Sequence, residues 1–309
     1  VLFEALEMER QGVPVEIYPL QREKCEVMHP EAQALVESAH YTPLFSGAIL
    51  AANVRRLFRH PSRVLGALAT IIRANMGSVK FLTGGLIFFP KAVYLAEQME
   101  RRGVRHLHAH FASHPAAAAY VIHRLTGIPF SFVAHGTDLH VDRHMLREKV
   151  QDADFVVAIS RYNRELILSE CGQEHANKVI VVHCGVDPEV FRPREHSCEA
   201  DRPLRLLCTG TLHEVKGQRY LIEACALLKE RGLKVDCRFI GEGADRAARA
   251  FRRRRRRPDL ARDLGVDAVF HLDRLAIRKD AVELRRRPAR ALRVVPAFEV
   301  PAGGGRLEA

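Results

Sequence analysis

The chain has 309 residues, of which 47% are apolar and 28% are charged. This length and composition provide one large folded domain or two ordinary ones, and they exclude short peptides, collagen-like chains and wholly disordered chains. Seven cysteines are scattered along the chain without a Cys-x-x-Cys pair. This pattern favours free thiols in a reducing compartment over a disulfide framework.

The sequence offers little sign of a membrane span or of secretion. The longest stretch without Asp, Glu, Lys or Arg, residues 106–123, carries five histidines and Pro115. Such a stretch is a poor bilayer span, so we expect no transmembrane helix. The chain begins at Val1, and its first residues lack the apolar core behind a basic stretch that marks a signal peptide. The sequence therefore does not support secretion.

The net charge of +11 is unevenly distributed. Residues 1–244 carry 30 basic and 28 acidic residues, whereas residues 245–309 carry 18 basic and 9 acidic ones. The excess is therefore local, and half of those 18 come from the arginines at 252–257 and 285–287. A second imbalance, at residues 51–100, combines seven basic and two acidic residues with apolar stretches, and this segment could contact an anionic bilayer surface.

Hydrophobic periodicity predicts alternating helices and strands. A helix is expected over residues 1–10, and Gly12 ends it before an extended segment at 13–20. Apolar strands are predicted at 104–108, 130–134, 155–159 and 179–183, with amphipathic helices between most of them. The pattern then restarts with strands at 204–208, 235–240 and 268–272 and helices at 218–231 and 244–262. Such alternation predicts an α/β protein with parallel sheets covered on both faces.

Prolines and a polar string interrupt the periodicity at residues 184–203. This segment is predicted to link a domain at 1–183 to a second at 204–309. Two doubly wound domains that face one another across a cleft form the simplest architecture. Ligands of open parallel sheets bind beyond the carboxyl ends of the strands, so the loops there should carry the chemistry.

The sharpest motif is the segment from Gly210 to Gly217, which follows a predicted strand and opens a helix. The backbone amides of Gly210, Thr211 and Gly217, with the ammonium of Lys216, would form a phosphate or diphosphate site. The Gly-Lys-Ser/Thr order of a P-loop is absent. An ordinary strand-to-helix turn with a solvated lysine is the alternative.

Two glycines after the next strand, Gly241 and Gly243, are a weaker signal. On their own they indicate a tight turn.

A second constellation, Ala134-His135-Gly136-Thr137-Asp138, ends the strand at 130–134. His135 there can contact substrate, and Asp138 could orient its imidazole or hold a sugar hydroxyl. A histidine satisfied within its own loop is the alternative.

His106, His108 and His110 alternate, so they share one face of a strand, and a His-x-His pair can ligate zinc. No compact set of Asp, Glu or Cys accompanies them in the sequence. We therefore expect no metal, and we place His110 along the cleft.

Two further features have ordinary explanations. Ser160 and Arg161 end the strand at 155–159 and could bind an anion, but a helix cap at Ser160 explains them nearly as well. The arginine run at 252–257 has only Phe251 as an adjacent aromatic residue. This favours a solvated helix face or a disordered stretch over a polyphosphate site.

Taken together, these motifs resemble those of retaining, nucleotide-sugar-dependent glycosyltransferases of the GT-B fold. The family-4-like bacterial group that assembles exopolysaccharide and colanic-acid-type chains is the most similar branch. The resemblance covers residues 100–245, and more weakly 1–272. It rests on His108-Ala109-His110-Phe111-Ala112, Ala134 to Asp138, Val157 to Asn163, Val182 to Asp187 with Phe191-Arg192-Pro193, and Gly210 to Gly217.

The resemblance implies sugar transfer from a nucleoside diphosphate sugar to a carbohydrate or lipid-linked acceptor. It implies two Rossmann-like domains, no essential metal, His135 beside the donor sugar, and Gly241 and Gly243 near the nucleotide. Lys216 and nearby amides suit the diphosphate that departs with growing negative charge. A cytoplasmic location, peripheral at most on the inner face of the cytoplasmic membrane, is expected.

The sequence departs from the family pattern at several positions. Thr211 stands where many members carry arginine, and Asp273 where glycine is common. Glu308 resembles the first glutamate of a family pair, and the second is missing. The chain begins in a helix, although a unit of this type begins with a strand and a glycine-bearing loop. We therefore interpret the chain as truncated at both ends and expect poor turnover.

Two other functions stay open at this point. A sugar-nucleotide epimerase shares the two-domain architecture, but it should show cleft carboxylates suited to proton abstraction, and none stands out. A polyanion-binding protein would use the arginine-rich tail, and its binding would depend steeply on salt. We expect no specific nucleic acid partner.

Overall fold

The computed structural model describes residues 1–22, 29–141, 143–192 and 203–243. The chain divides into two units, Val1–Gly185 and Val186–Ala309. Their described parts each contain a parallel sheet with helices, so the predicted α/β class is confirmed. Several predicted features lie outside the described residues, namely the helix at 244–262, the strand at 268–272, the arginine run at 252–257 and Glu308.

The sheet of the first unit has four parallel strands in the order β1-β2-β3-β4. Parallel pairing places all four carboxyl ends at one edge, where the predicted site loops begin. The strands are β1 (Leu107–His110), β2 (Phe130–Ala134), β3 (Phe155–Ala158) and β4 (Val179–Val181). The intervening helices are α6 (His114–Thr126), α7 (Thr137–His140), α8 (Leu146–Asp152) and α9 (Arg161–Cys171).

Within residues 1–22 and 29–106, five α-helices precede β1, and their ends carry recognisable signals. The hydroxyls of Ser46 and Ser78 cap two of them by accepting the N–H groups of Ile49 and Phe81. Pro61 opens another, where its missing N–H costs nothing. The helices are α1 (Leu2–Arg10), α2 (Gln33–Ser38), α3 (Gly47–Arg59), α4 (Pro61–Asn75) and α5 (Val79–Arg102).

The first strand lies further along the chain than predicted. The sequence favoured 104–108, whereas β1 spans Leu107–His110. Gly103 adopts a left-handed conformation at the end of α5, and the N–H of Val104 donates to Met99 O. Residues at the start of the predicted strand therefore finish the helix instead.

The predicted extended segment at 13–20 is not a strand. Its backbone carbonyls have other partners: Ile17 O accepts His40 N–H, and Pro19 O and Leu20 O accept the ammonium of Lys91. Lys91 is 1% exposed and donates a third bond to Thr42 O. The buried ammonium of Lys91 thus holds this segment in place of the hydrogen bonds of a strand. Burial also lowers the pKa of Lys91.

In the part of the chain that the structure describes, one helix, α5, is long and apolar enough to cross a membrane. An 18-residue window of it has a mean hydropathy of 1.3, and 44% of that window is buried. Lys80 and Lys91 divide the sequence of α5 into shorter uncharged stretches. A search of the sequence for one long uncharged stretch therefore does not find this helix. It packs against α3, α4 and α6, and Phe89, Val93 and Ala96 belong to the core. Part of its apolar surface therefore serves packing within the unit.

The second unit contains β5 (Leu204–Thr209), α10 (Gln218–Glu230) and β6 (Val235–Ile240). The two strands pair in parallel, from Leu204 with Val235 to Thr209 with Ile240. Its buried cluster is small, and consists of Ile222, Cys225, Ala226, Cys237 and Phe239. Cys171, Cys184, Cys208, Cys225 and Cys237 are free thiols.

Candidate active site

The loop after β1 makes a strained turn at the site edge of the sheet. Phe111 has a φ of 76°, in the left-handed region that non-glycine residues rarely adopt. Its N–H still pairs with Val133 O at 3.0 Å, which extends the β1–β2 ladder by one bond. The ring of Phe111 lies 4.8 Å from that of His135, between centroids. The turn therefore brings the ends of β1 and β2 together.

The carboxylate of Asp138 ties these two loops to each other. It is 6% exposed and accepts the N–H of Ala112 at 2.7 Å and the N–H of His135 at 3.0 and 3.1 Å. The sequence predicted that Asp138 orients the imidazole of His135 or holds a sugar hydroxyl. The structure shows that it binds the backbone N–H of His135, and its predicted role toward a sugar hydroxyl stays a prediction.

Two buried side chains that sequence reasoning missed complete this support. The ammonium of Lys149, 1% exposed, donates to Ala112 O and to His144 O. The amide of Asn163, 4% exposed, donates to His135 O at 2.6 Å. Its oxygen faces His140 Nε2 at 3.0 Å. In the sequence, the feature that could have indicated Lys149 and Asn163 is that each is a polar residue on an otherwise apolar helix face.

Two imidazoles at this edge each keep a buried nitrogen free. The rings of His110 and His135 lie 6.2 Å apart. His110 Nδ1 and His135 Nε2 are buried and have no hydrogen-bond partner among the described residues. Buried polar atoms without partners are rare, and they mark places where a ligand or water completes the site. His110 and His135 therefore lie close together at this edge of the sheet, and their predicted place along a cleft stays a prediction.

The predicted shared face of the alternating histidines is observed. His106 Nε2 and His108 Nδ1 both contact Ser131 Oγ, at 2.8 and 2.7 Å. The view that no carboxylate accompanies them is wrong, because α1 brings Glu4 over the sheet. Glu4 oxygens lie 3.4 Å from His108 Nε2 and 3.1 Å from His110 Nε2.

Glu4, His108 and His110 could hold a metal ion, since one ligand atom from each lies within 4.8 Å of the others. Hydrogen bonding explains the same arrangement, because the carboxylate can accept from both imidazoles. Burial lowers the pKa of His110 to about 4, against a smaller opposing effect of Glu4. His110 is therefore neutral at neutral pH. The expectation that no metal is needed stays a prediction.

The Ser160-Arg161 motif had two interpretations, a helix cap and an anion site, and the structure bears on the first. Ser160 Oγ accepts the N–H of Asn163 at 3.1 Å and caps α9, so the cap is observed. Arg161 is exposed at the first position of that helix. Its role toward an anion stays a prediction.

The glycine-rich segment of the second unit forms a turn that precedes α10. Gly210 and Gly217 have φ values of 151° and 68°, which favour glycine. Lys216 ends a single 3-10 turn, Glu214–Lys216, and is exposed. Thr211 O accepts the side-chain amide of Gln218 at 2.9 Å. The predicted helix start is confirmed, with Gly217 as its N-cap.

Gly241 and Gly243 are required by backbone packing. The N–H groups of Gly210 and Leu212 donate to Ile240 O and Glu242 O, so pairing continues beyond the strands. A Cβ at Gly241 or Gly243 would overlap the carbonyl oxygens of Gly210 and Leu212. Backbone packing alone therefore explains both glycines, and their predicted place near a nucleotide stays a prediction.

A cation that sequence reasoning missed lies beside the glycine-rich turn. Arg219 Nη1 lies 3.8 Å from Glu214, and its guanidinium stacks over the Tyr220 ring at 4.5 Å. In the sequence, the feature that could have indicated Arg219 is its position two residues after Gly217. This places a second positive group close in sequence to Lys216.

The model of Glycosyltransferase Family 4 matches residues 5–190. The amylovoran biosynthesis glycosyltransferase AmsK of Erwinia amylovora is 34% identical over 119 residues, which make up 36% of this chain and 28% of that protein. The chain therefore spans under a third of this curated relative.

Two solved structures are also similar. A glycosyltransferase from Rickettsia africae ESF-5 gives a TM-score of 0.49 at 14% identity, over 85% of this chain and 62% of that one. The S. aureus MnaA–UDP co-structure gives 0.33 at 14% identity, over 62% and 53%.

We predict that Asp138→Asn destabilises the first unit. An amide has one acceptor oxygen in place of two and brings two new N–H groups, so a buried donor loses its partner. The cost of an unsatisfied buried group is about 1 to 3 kcal/mol. Urea unfolding measures this loss, and Asp154→Asn, at an exposed position, should change the free energy of unfolding little. Equal values for the two variants would contradict the role of Asp138.

A second prediction concerns pH. His110 has a pKa of about 4 in the folded protein against 6.5 for an ordinary histidine. Between these values the unfolded chain binds the proton and the folded chain does not. The contribution of His110 is therefore complete above pH 6.5 and is lost as the pH falls toward 4.

His110→Gln should flatten this dependence when urea unfolding is measured at several pH values. Burial lowers the pKa of His108 too, so part of the slope should persist. His29→Gln, at an exposed histidine, is the control and should keep the full slope. A slope unchanged by His110→Gln would refute the assignment.

Proposed function

Because the chain belongs to Glycosyltransferase Family 4, we propose that it serves sugar transfer from a nucleoside diphosphate sugar to a carbohydrate or lipid-linked acceptor. The relative AmsK is named for amylovoran biosynthesis, which supports a role in exopolysaccharide assembly. The proposed reaction is retaining and takes place on the cytoplasmic side of the membrane. We propose that transfer from this donor needs no metal ion.

The observation that carries this proposal is the pair of buried, free nitrogens on His110 and His135. A neutral imidazole nitrogen accepts or donates one hydrogen bond, depending on its tautomer. Two such nitrogens on rings 6.2 Å apart suit a ligand with several hydroxyl groups. A sugar has this chemistry, and it would restore the bonds that the described residues leave unmade.

The supporting residues act on this pair through the backbone. Asp138 accepts the N–H of His135, and Asn163 donates to its carbonyl, so the two peptide groups that flank His135 are both held. A group held in place before the substrate arrives loses little freedom during reaction, which favours the transition state. The proposed role of His135 is contact with the donor sugar, and that of Asp138 and Asn163 is to position it.

In the second unit, we assign Lys216 and the backbone amides near Gly210 and Gly217 to the diphosphate of the donor. Transfer leaves negative charge on the departing diphosphate, and fixed positive groups stabilise that charge. Lys216 has a compact ammonium that binds phosphate as a point charge. Its exposure leaves the ammonium accessible to a ligand.

The test of the sugar site is His135→Ala, studied by saturation-transfer NMR with UDP, GDP and their sugars. The variant should lose transfer to the sugar protons and keep transfer to the nucleotide protons. Release of nucleoside diphosphate in the presence of EDTA and a lipid-linked acceptor should fall by about a hundredfold, at the lower end of losses for a positioned catalytic group. His29→Ala is the matched control and should match the unaltered chain. If His135→Ala kept the sugar signals, the site would lie elsewhere.

The test of the phosphate site is Lys216→Ala. Nucleoside diphosphate binding should weaken by about tenfold to a hundredfold, since a charge-assisted contact contributes about 1.5 to 3 kcal/mol. Binding of the nucleoside alone should hardly change. Titration calorimetry compares the two ligands, with Lys234→Ala, another exposed lysine of this unit, as control. Equal weakening for both ligands would exclude the proposed role.

A further inference from the structure

Helix α1 brings one carboxylate to two histidines of β1. The oxygens of Glu4 lie 3.4 Å from His108 Nε2 and 3.1 Å from His110 Nε2. One atom from each of the three side chains lies within 4.8 Å of the other two. The carboxylate and the two imidazoles therefore surround one small space between the helix and the strand.

The distances suit a metal ion better than a pair of hydrogen bonds. A charge-assisted hydrogen bond between an imidazole and a carboxylate has a length of about 2.7 to 2.9 Å, and both observed distances are longer. Ligand atoms that lie about 2.0 to 2.1 Å from a tetrahedral zinc ion are about 3.3 to 3.4 Å from one another. The two distances from Glu4 to the histidines, 3.4 and 3.1 Å, are close to that spacing.

A buried hydroxyl behind the cluster orients one of the imidazoles. Ser131 is fully buried, and its Oγ lies 2.7 Å from His108 Nδ1 and 2.8 Å from His106 Nε2. Histidines that bind a metal almost always donate their other N–H to such a partner, which fixes the ring and its tautomer. In this arrangement His108 Nδ1 donates to Ser131, and Ser131 donates in turn to His106. The Nε2 of His108 then presents its lone pair toward Glu4.

Burial contributes little to holding α1 in place. Ala5 is the one buried residue among the nine of this helix, and an isolated helix of this length is marginal in water. The N-terminal ammonium of Val1 lies 3.9 Å from Glu4, an exposed contact that adds little. The approach of Glu4 to His108 and His110 is therefore a polar link between α1 and the sheet.

We infer that Glu4, His108 and His110 bind a zinc ion, which fastens α1 to β1. Imidazole and carboxylate are ligands that zinc prefers, and a set of three leaves the fourth tetrahedral position to water. Zinc on His110 Nε2 places the proton of that ring on Nδ1, which then acts as a donor at the edge of the sheet. The inference does not depend on the proposed reaction, and the zinc ion takes no part in sugar transfer.

Zinc alone tests the site in the full chain, after treatment with EDTA and removal of the chelator. In titration calorimetry, zinc affinity should fall by about a hundredfold or more in Glu4→Gln and in His108→Gln. Each variant loses one of three ligands, whereas loss of an outer partner costs about tenfold to a hundredfold. Glu9→Gln, at another exposed carboxylate of α1, and His29→Gln, at an exposed histidine, are the matched controls. Both should bind zinc as the unaltered chain does.

Two spectroscopic measurements identify the ligand atoms. Cobalt in place of zinc should give the visible bands of a nitrogen and oxygen site, and Glu4→Gln should abolish them. NMR of ¹⁵N-labelled histidines should show zinc on Nε2 of His108 and His110 and a proton on Nδ1 of each. Charge-transfer bands between cobalt and thiolate would place the metal on cysteines and would overturn the inference.

A further variant tests the support of the site. Ser131→Ala removes the hydroxyl that orients His108, so it should weaken zinc binding by about tenfold to a hundredfold. Circular dichroism of each variant checks the fold. Zinc affinity that stays unchanged in both Glu4→Gln and His108→Gln, or the absence of zinc binding by the unaltered chain, would refute the site.

The fastening of α1 has its own measurement. Backbone amides of α1 should exchange hydrogen more slowly with zinc than with EDTA, and Glu4→Gln should remove this difference. Amides of α10, in the second unit, should exchange equally under both conditions. Exchange in α1 that does not respond to zinc would exclude the fastening role.

Discussion

The site of the first unit depends on how two opposite buried charges hold the backbone of one residue, Ala112. The N–H of Ala112 is bound by the carboxylate of Asp138, and its carbonyl is bound by the ammonium of Lys149. Together they hold the neighbouring residue, Phe111, in a left-handed conformation that costs energy by itself. Asp138 also holds His135, so the same contacts determine the separation of the two imidazoles.

The sequence predicts best those elements whose signal is local. The strands Phe130–Ala134 and Val235–Ile240 were predicted to the residue. The first is a mostly apolar run, and the second alternates apolar residues with Asp236 and Arg238, and both patterns are typical of strands. The beginning of β1 was not predicted to the residue, because Gly103 extends the influence of α5 into it. The carboxylate of Glu4 beside His108 was also missed, since about a hundred residues separate them and no local pattern joins them.

The candidate site shows the same division between local and distant signals. The histidines follow from strand-end position, whereas Lys149 and Asn163 act on backbone groups of other loops, which no spacing reveals. Gly241 and Gly243 illustrate a different limit. A strand-end glycine pattern indicates close backbone approach, but the approaching group is here another loop, at Gly210 and Leu212. A steric need and a ligand contact leave the same mark in a sequence.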